Sequence, residues 1–365
     1  MATFNGTLNS NEIFSALYNM IISQQVFADN VKGTYSALVE KARVDGSMYG
    51  DTKLFYATDA LASYEWGADA EAGNLLAIDR PEAPKTQAIT IDTFRQIRLT
   101  VDNYMSKRAW ATEGAFQSFN DIMKGWIRDT KRIYDSTLYN VYVGTAETEV
   151  GKQAVEITPI EGQNDALTMA EALANLLVDL KDVGRDYNDY GFIRSYDESD
   201  LIVVWNAKHY NTLKKIDMPT IFHTEGLLDE FEQEILPARY FGKKAADGLE
   251  HADGDIVIPG QLPTGARAKR EMVVDGKHYF PGDLVDQPSE ASTALTWGDV
   301  YVEDDTIAFK IMHKDSVPYM SGFEVGTSFF NPRSLTENNY LTFGHNTLAY
   351  LQDKPFITAR FKEQA

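Results

Sequence analysis

The amino-acid sequence predicts an α+β fold, and three observations carry that expectation. From Thr112 to Leu138 apolar residues recur at helical spacing for far longer than the usual three turns or so. Ahead of it, Gln87 to Val101 alternates apolar and polar residues at the period of a strand. Beyond it, a helical pattern, the unbroken apolar run Leu201–Trp205 and a second helical pattern follow in series, as in a sheet covered on both faces.

The elements take their places in order. Asn9, Ser10 and Asn11 cap a first helix carrying Ile13, Leu17, Ile21 and Ile22, which ends before Asn30–Gly33. Residues 51–84 are rich in Ala, Gly, Asp and Glu, with isolated aromatics at Phe55, Tyr56, Tyr64 and Trp66. Leu54–Ala57 reads as a short strand and Gly67–Asn74 as an exposed connection. A compact domain rarely carries so long a polar excursion without a use for it, and an arm packed on a neighbouring subunit is one such use. Ile89 and Ile91, then Ile97, Leu99 and Val101, form one long strand returning from the arm, bent near Phe94.

In the long helix, Phe116, Phe119, Ile122, Met123, Trp126, Ile127 and Tyr134 fall on one face and Lys124, Arg128 and Arg132 mostly on the other. Gly125 inside it costs about 1 kcal/mol relative to Ala, so close packing is expected there. Asp165 caps a helix running through Leu180, and Asn206 starts another that stops before Pro219. Ile256–Ile258 reads as a strand, Met272–Tyr279 as a hairpin around Asp275-Gly276, and Thr347–Leu351 with Pro355–Phe361 as the closing strand.

Composition narrows the function. The 365 residues are 44% hydrophobic, enough for a sizeable core in one large domain or two. No apolar run is long enough to span a membrane, and the N-terminus lacks the basic start and apolar stretch of a secretory signal. Cysteine is absent, which excludes disulfides, thiolate nucleophiles and cysteine-ligated metals. With 34 basic residues against 54 acidic ones and a net charge of −20, the chain is a poor dedicated nucleic-acid binder.

Phosphate-binding loops, the dinucleotide fingerprint, the nucleophile elbow and H-E-x-x-H are all missing. His223-Thr224-Glu225 reads as a cap or surface segment, and His345 as part of a structural turn. Asp186–Gly191 partly matches a calcium loop, but Tyr190 holds a ligand position and Asp197 stands where a bidentate Glu belongs, so an ordinary turn is expected. No catalytic residue, metal or cofactor is predicted. The aromatics of the polar excursion suit either a sugar platform or an anchor between subunits.

The serial arrangement resembles the Hong Kong 97-type major capsid fold of tailed bacteriophages. Three segments carry the likeness: Gln87–Val101 feeding Thr112–Leu138, Asp200–Tyr210, and Asn338–Asn346 through Asp353–Phe356. The resemblance implies an N-terminal arm with a helix at 1–50 and an extended E-loop at 51–88. It implies a P-domain at 89–160 with its spine helix at 112–138, and an A-domain at 161–335 with a surface insertion at 248–296. Closing P-domain strands at 336–365 complete it. The function it implies is structural, not enzymatic: self-assembly into an icosahedral shell of hexamers and pentamers around double-stranded phage DNA, in the virion, after assembly in the host cytoplasm. Expected partners are portal and separate scaffolding proteins, an optional decoration protein, DNA touched weakly and without sequence preference, and no membrane. Phe55, Tyr56, Tyr64 and Trp66 are the expected subunit-interface residues. Lys53 and Lys85 lie in or beside the arm, but nothing marks either for crosslinking. An encapsulin-like compartment is the alternative; a carbohydrate-active enzyme or a tail binding protein comes after it.

Overall fold

The computed structural model describes residues 37–46, 50–63, 78, 80–102, 113–148, 150–160, 165–214, 232–246, 251–291 and 294–362. Along them run α1 (Ala37–Lys41), β1 (Arg43–Asp45), β2 (Thr52–Ala57), β3 (Lys85–Asp102) and α2 (Glu113–Thr145). Next come β4 (Ala154–Ile157), α3 (Asp165–Lys181), β5 (Leu201–Asn206), α4 (Ala207–Lys214) and β6 (Glu232–Leu236). β7 (Gly242–Lys244), β8 (Ala266–Ala268), β9 (Met272–Val274), β10 (Lys277–Tyr279) and β11 (Val300–Glu303) follow. The chain closes with β12 (Ile307–His313), β13 (Tyr319–Asn331), β14 (Thr336–Asn346) and β15 (Phe356–Phe361). The first predicted helix, around Ile13–Ile22, lies outside the described residues, as does His223.

Two compact units divide the chain. The larger holds 36–94, 134–323 and 344–365, and the described part of the smaller holds 95–102, 113–133 and 324–343.

The larger unit is built on a sheet in the order β4-β15-β12-β5-β6. β12 is antiparallel to β5 and β15, while β6 runs parallel to β5 and β4 parallel to β15. Every residue of β5 is buried, as its unbroken apolar run requires. Successive side chains of a strand point to opposite faces, and β5 divides accordingly. Leu201, Val203 and Trp205 pack with Met169, Leu173, Leu176, Leu177 and Leu180 of α3. Ile202 and Val204 pack with Tyr139, Val141 and Val143 of α2 and with Leu38 and Val39 of α1. The sheet is thus covered on both faces, and each fully buried Leu, Val or Ile stabilises it by roughly 1.5–3 kcal/mol.

A satellite cluster has its own core of Val257, Leu262, Met272, Tyr279, Leu295 and Trp297. Around it lie the three-stranded sheet β7-β11-β8 and the β9–β10 hairpin. The hairpin turns at Asp275 and Gly276, with φ of 50° and 75°, the left-handed pair that an Asp-Gly turn supplies. The predicted strand at Ile256–Ile258 does not form. Ile256 makes a single bridge to Thr296, and the chain turns at once as the Gln261 N–H donates to the Ile258 carbonyl.

A second five-stranded sheet has the order β1-β13-β14-β3-β2. β3 is one strand of 18 residues, and the predicted bend near Phe94 does not interrupt it. The reason sits opposite. A Cβ on Gly344 would lie 2.7 Å from the Phe94 ring, so glycine there leaves room for the aromatic. Thr347–Leu351 is not a strand, because its backbone is claimed by side chains. Asp92 accepts from the Thr347 N–H at 2.8 Å and Gln87 donates to the Tyr350 carbonyl at 2.9 Å.

α2 begins where expected and runs seven residues past the predicted end at Leu138, to Thr145. It has 33 residues in all. The extension, Tyr139-Asn140-Val141-Tyr142-Val143, is aromatic and β-branched and reads as strand-like. Burial of Tyr139, Val141 and Val143 overrides that weak preference. Gly125 also departs from expectation: a Cβ there would meet no described atom within 4 Å.

In the smaller unit the strands are tied by side chains. Thr100 donates to Asn338 at 2.7 Å and Gln96 to Thr342 at 3.1 Å. Lys131 lies over the Phe343 ring and 3.8 Å from Glu324.

Candidate subunit interface

Residues 58–84 join the two strands of an antiparallel ribbon, β2 and β3. Its register pairs Thr52 with Thr90, Leu54 with Ala88 and Tyr56 with Thr86 on one face. The other face carries Lys53–Ile89, Phe55–Gln87 and Ala57–Lys85. The two faces differ in chemistry. Phe55 is half-buried and packs against Ile89, Ile91, Met320 and Leu351 of its own chain. Leu54 and Tyr56 are 52% and 65% exposed, and the six side chains paired on their face are uncharged. Beyond the ribbon Leu61 and Ile78 are more exposed still. An uncharged face with large open side chains is unusual on a chain of net charge −20, and fits contact with another protein better than with water.

Of the four aromatics the sequence nominated, Tyr56 stands on this open face and Phe55 is engaged within its own subunit. Tyr64 and Trp66 lie outside the described residues. Leu54 was missed, although strand alternation already puts it on the same face as Tyr56 and opposite Phe55.

Where β2 ends, the chain is gripped by a platform made of the 184–194 loop and the closing segment at 350–353. Asp59 accepts from the Ile193 N–H at 2.9 Å, the Arg185 guanidinium at 2.6 Å and the Ala60 N–H at 2.8 Å. Those hydrogen bonds, the one from Ile193 first, hold its carboxyl at a pKa of about 2. Arg194 donates to the Thr58 carbonyl at 2.8 Å, and its Nε and Nη2 both reach one oxygen of Asp353, at 3.0 and 2.6 Å. β3 is held on the same platform without charge. Gln87 donates to the Tyr350 carbonyl and accepts the Gln352 N–H at 3.0 Å. Between them is a hollow of about 180 Å³ lined by Phe55, Tyr56, Gln87, Tyr190, Asp353 and Lys354. Nothing local in the sequence marks Asp59, Arg185 or Arg194, because their partners are more than a hundred residues away or are backbone groups.

The loop itself is a turn. Asp186 pairs with Lys152, the Asn188 amide closes on the Phe192 backbone, and Asp189 accepts from Gln153 at 2.7 Å and Tyr350 at 2.6 Å. Its carboxylates are thus taken by separate protein donors. No group of three or more His, Asp or Glu among the described residues is placed to hold a metal. Among those residues no helix is long and apolar enough to cross a membrane. His345 is buried between the Tyr134 hydroxyl and the Asn346 carbonyl, each at 2.8 Å.

A family model of Phi29-like phage major capsid proteins matches residues 3–358. Among solved structures, the fold is similar to a chain of the capsid of Staphylococcus phage Andhra, with a TM-score of 0.56 and 10% identity over 88% of this chain and 83% of that one. It is similar also to a chain in the structure of the head fiber and inner core protein gp22 of native bacteriophage P68, with a TM-score of 0.59 and 10% identity over 87% and 83%. At that identity the likeness speaks for the fold alone. No curated protein matches the sequence.

Proposed function

The chain belongs to the Phi29-like phage major capsid protein family, and on that premise we propose that copies of it close into an icosahedral shell of hexamers and pentamers around double-stranded phage DNA. It is a structural component of the virion, of a phage rather than a cellular compartment.

In this reading the arm at 51–88 lies on a neighbouring subunit. The helix within the P-domain at 89–160 braces its own subunit, and the A-domain at 161–335 meets its copies around the symmetry axes. The insertion at 248–296 faces outward, and 336–365 closes the P-domain. Assembly takes place in the host cytoplasm with a separate scaffolding protein and a portal. The acidic chain contacts DNA weakly and without regard to sequence.

One observation carries the subunit contact: the uncharged ribbon face bearing Leu54 and Tyr56, each more than half exposed. Burying it against a second copy stabilises the shell at every repeat of the contact. Replacing both residues (Leu54→Asp with Tyr56→Asp) tests the proposal. Electron microscopy is expected to find no closed shells, while circular dichroism and melting of the unassembled subunit match the parent. Normal shells from the double variant would remove this face from the interface.

A further inference from the structure

The two strands of the arm are anchored to the same platform by different chemistry. The outgoing strand is held at Thr58–Ala60 through charged groups: the Ile193 N–H and Arg185 on the Asp59 carboxylate, and Arg194 joining the Thr58 carbonyl to Asp353. The returning strand is held at Gln87 by two neutral hydrogen bonds to backbone. Salt separates the two. The Arg185–Asp59 pair has side-chain exposures of 52% and 26%, and Arg194–Asp353 has 24% on each side. Exposed ion pairs contribute little each and are screened by electrolyte, whereas amide–carbonyl bonds carry no net charge to screen.

The platform is itself preformed. Gly184 and Arg194 exchange backbone hydrogen bonds at 2.9 Å across the base of the loop, and Asn188 bonds twice to the backbone of Phe192. Release of the clasp therefore leaves its receptor in place.

We propose that the arm root is a one-sided clasp. The outgoing strand is released at Thr58–Ala60 when the Asp59 and Arg194 contacts are screened or removed, while Gln87 stays fixed as a pivot. The clasp sets the direction in which the chain leaves β2, and an ionic or competing carboxylate partner resets it without unfolding the platform.

The absence of cysteine makes the test clean, since introduced cysteines are the only ones. Spin labels go on Leu61→Cys beyond the clasp and Val183→Cys beside the loop, both exposed positions, in full-length chain diluted with unlabelled chain. A control pair joins Val183→Cys with Ala88→Cys, next to the pivot. At low salt both pairs are expected to give one narrow distance distribution. At high salt, or with Asp59→Ala, the Leu61 pair is expected to lose its narrow peak while the Ala88 pair keeps it. Asp59→Asn, which still accepts the Ile193 N–H, is expected to fall between. An unchanged Leu61 pair in Asp59→Ala would overturn the clasp, and broadening of both pairs together would overturn the pivot. Because the reading comes from single subunits, neither outcome depends on whether shells form.

Discussion

Lys310 occupies the middle of β12, a strand whose seven residues are all buried. Its Nζ donates to the Ala146 carbonyl at 2.6 Å, just past the end of α2, and lies over the Phe356 ring. Burial lowers its pKa to about 7, with Arg360 acting in the same direction and Glu147 and Asp304 against it. The unfolded chain keeps this proton up to about pH 10.5, so between the two values it binds more protons than the folded chain. Stability contributed by this residue therefore rises from pH 7 to pH 10.5, and the full penalty of the buried charge stands below 7. Lys310→Met removes the titrating group. Thermal melting across that range is expected to show the parent gaining on the variant as pH rises, by several kcal/mol as an order of magnitude. Parallel melting curves for the two proteins would contradict it. Such a lysine is not legible in the sequence: Ile307-Ala308-Phe309-Lys310-Ile311 reads as a strand with one polar face, and burial on both faces comes from the second layer.

At the scale of the element, two glycines of α2 make opposite predictions. At Gly144 a Cβ would lie 2.0 Å from the Tyr240 carbonyl oxygen, so the helix passes closer to that backbone than any other residue allows. Gly144→Ala is expected to destabilise the protein by about 1–3 kcal/mol or more, since the obstruction is backbone and cannot rotate aside. Gly125 has open space around it among the described residues, and Gly125→Ala is expected to add up to about 1 kcal/mol through helix propensity alone. Chemical denaturation of both variants checks the pair, and equal shifts in one direction would contradict the account. The sequence located this helix through its apolar stripe, yet could not say which glycine was packed, because that depends on Tyr240, nearly a hundred residues on. The helix's last seven residues were hidden for a related reason: Tyr139, Val141 and Val143 are helical because two layers bury them.

For the whole molecule, chain order was the legible part. The arm's return strand, the long helix, the buried strand at Leu201–Asn206, the Asp-Gly hairpin and the closing strand at Phe356–Phe361 all carry their periods in the residues. Sheet order was not legible, since β15 lies between β4 and β12 through pairings some fifty to two hundred residues apart. Composition pointed to aromatics in the arm, but only the β2–β3 register shows that Leu54 and Tyr56 share the open face while Phe55 turns inward. The contacts of Thr58–Ala60 with the 184–194 loop are tertiary throughout, which is why Asp59 and Arg194 left no trace in any motif. The measurement that reaches the central claim most directly is a single-particle electron-microscopy reconstruction of particles formed by the unmodified chain. The account predicts closed shells of icosahedral symmetry in which Leu54 and Tyr56 are covered by a neighbouring copy. Isolated subunits alone, or shells that leave those two side chains open to solvent, would contradict it.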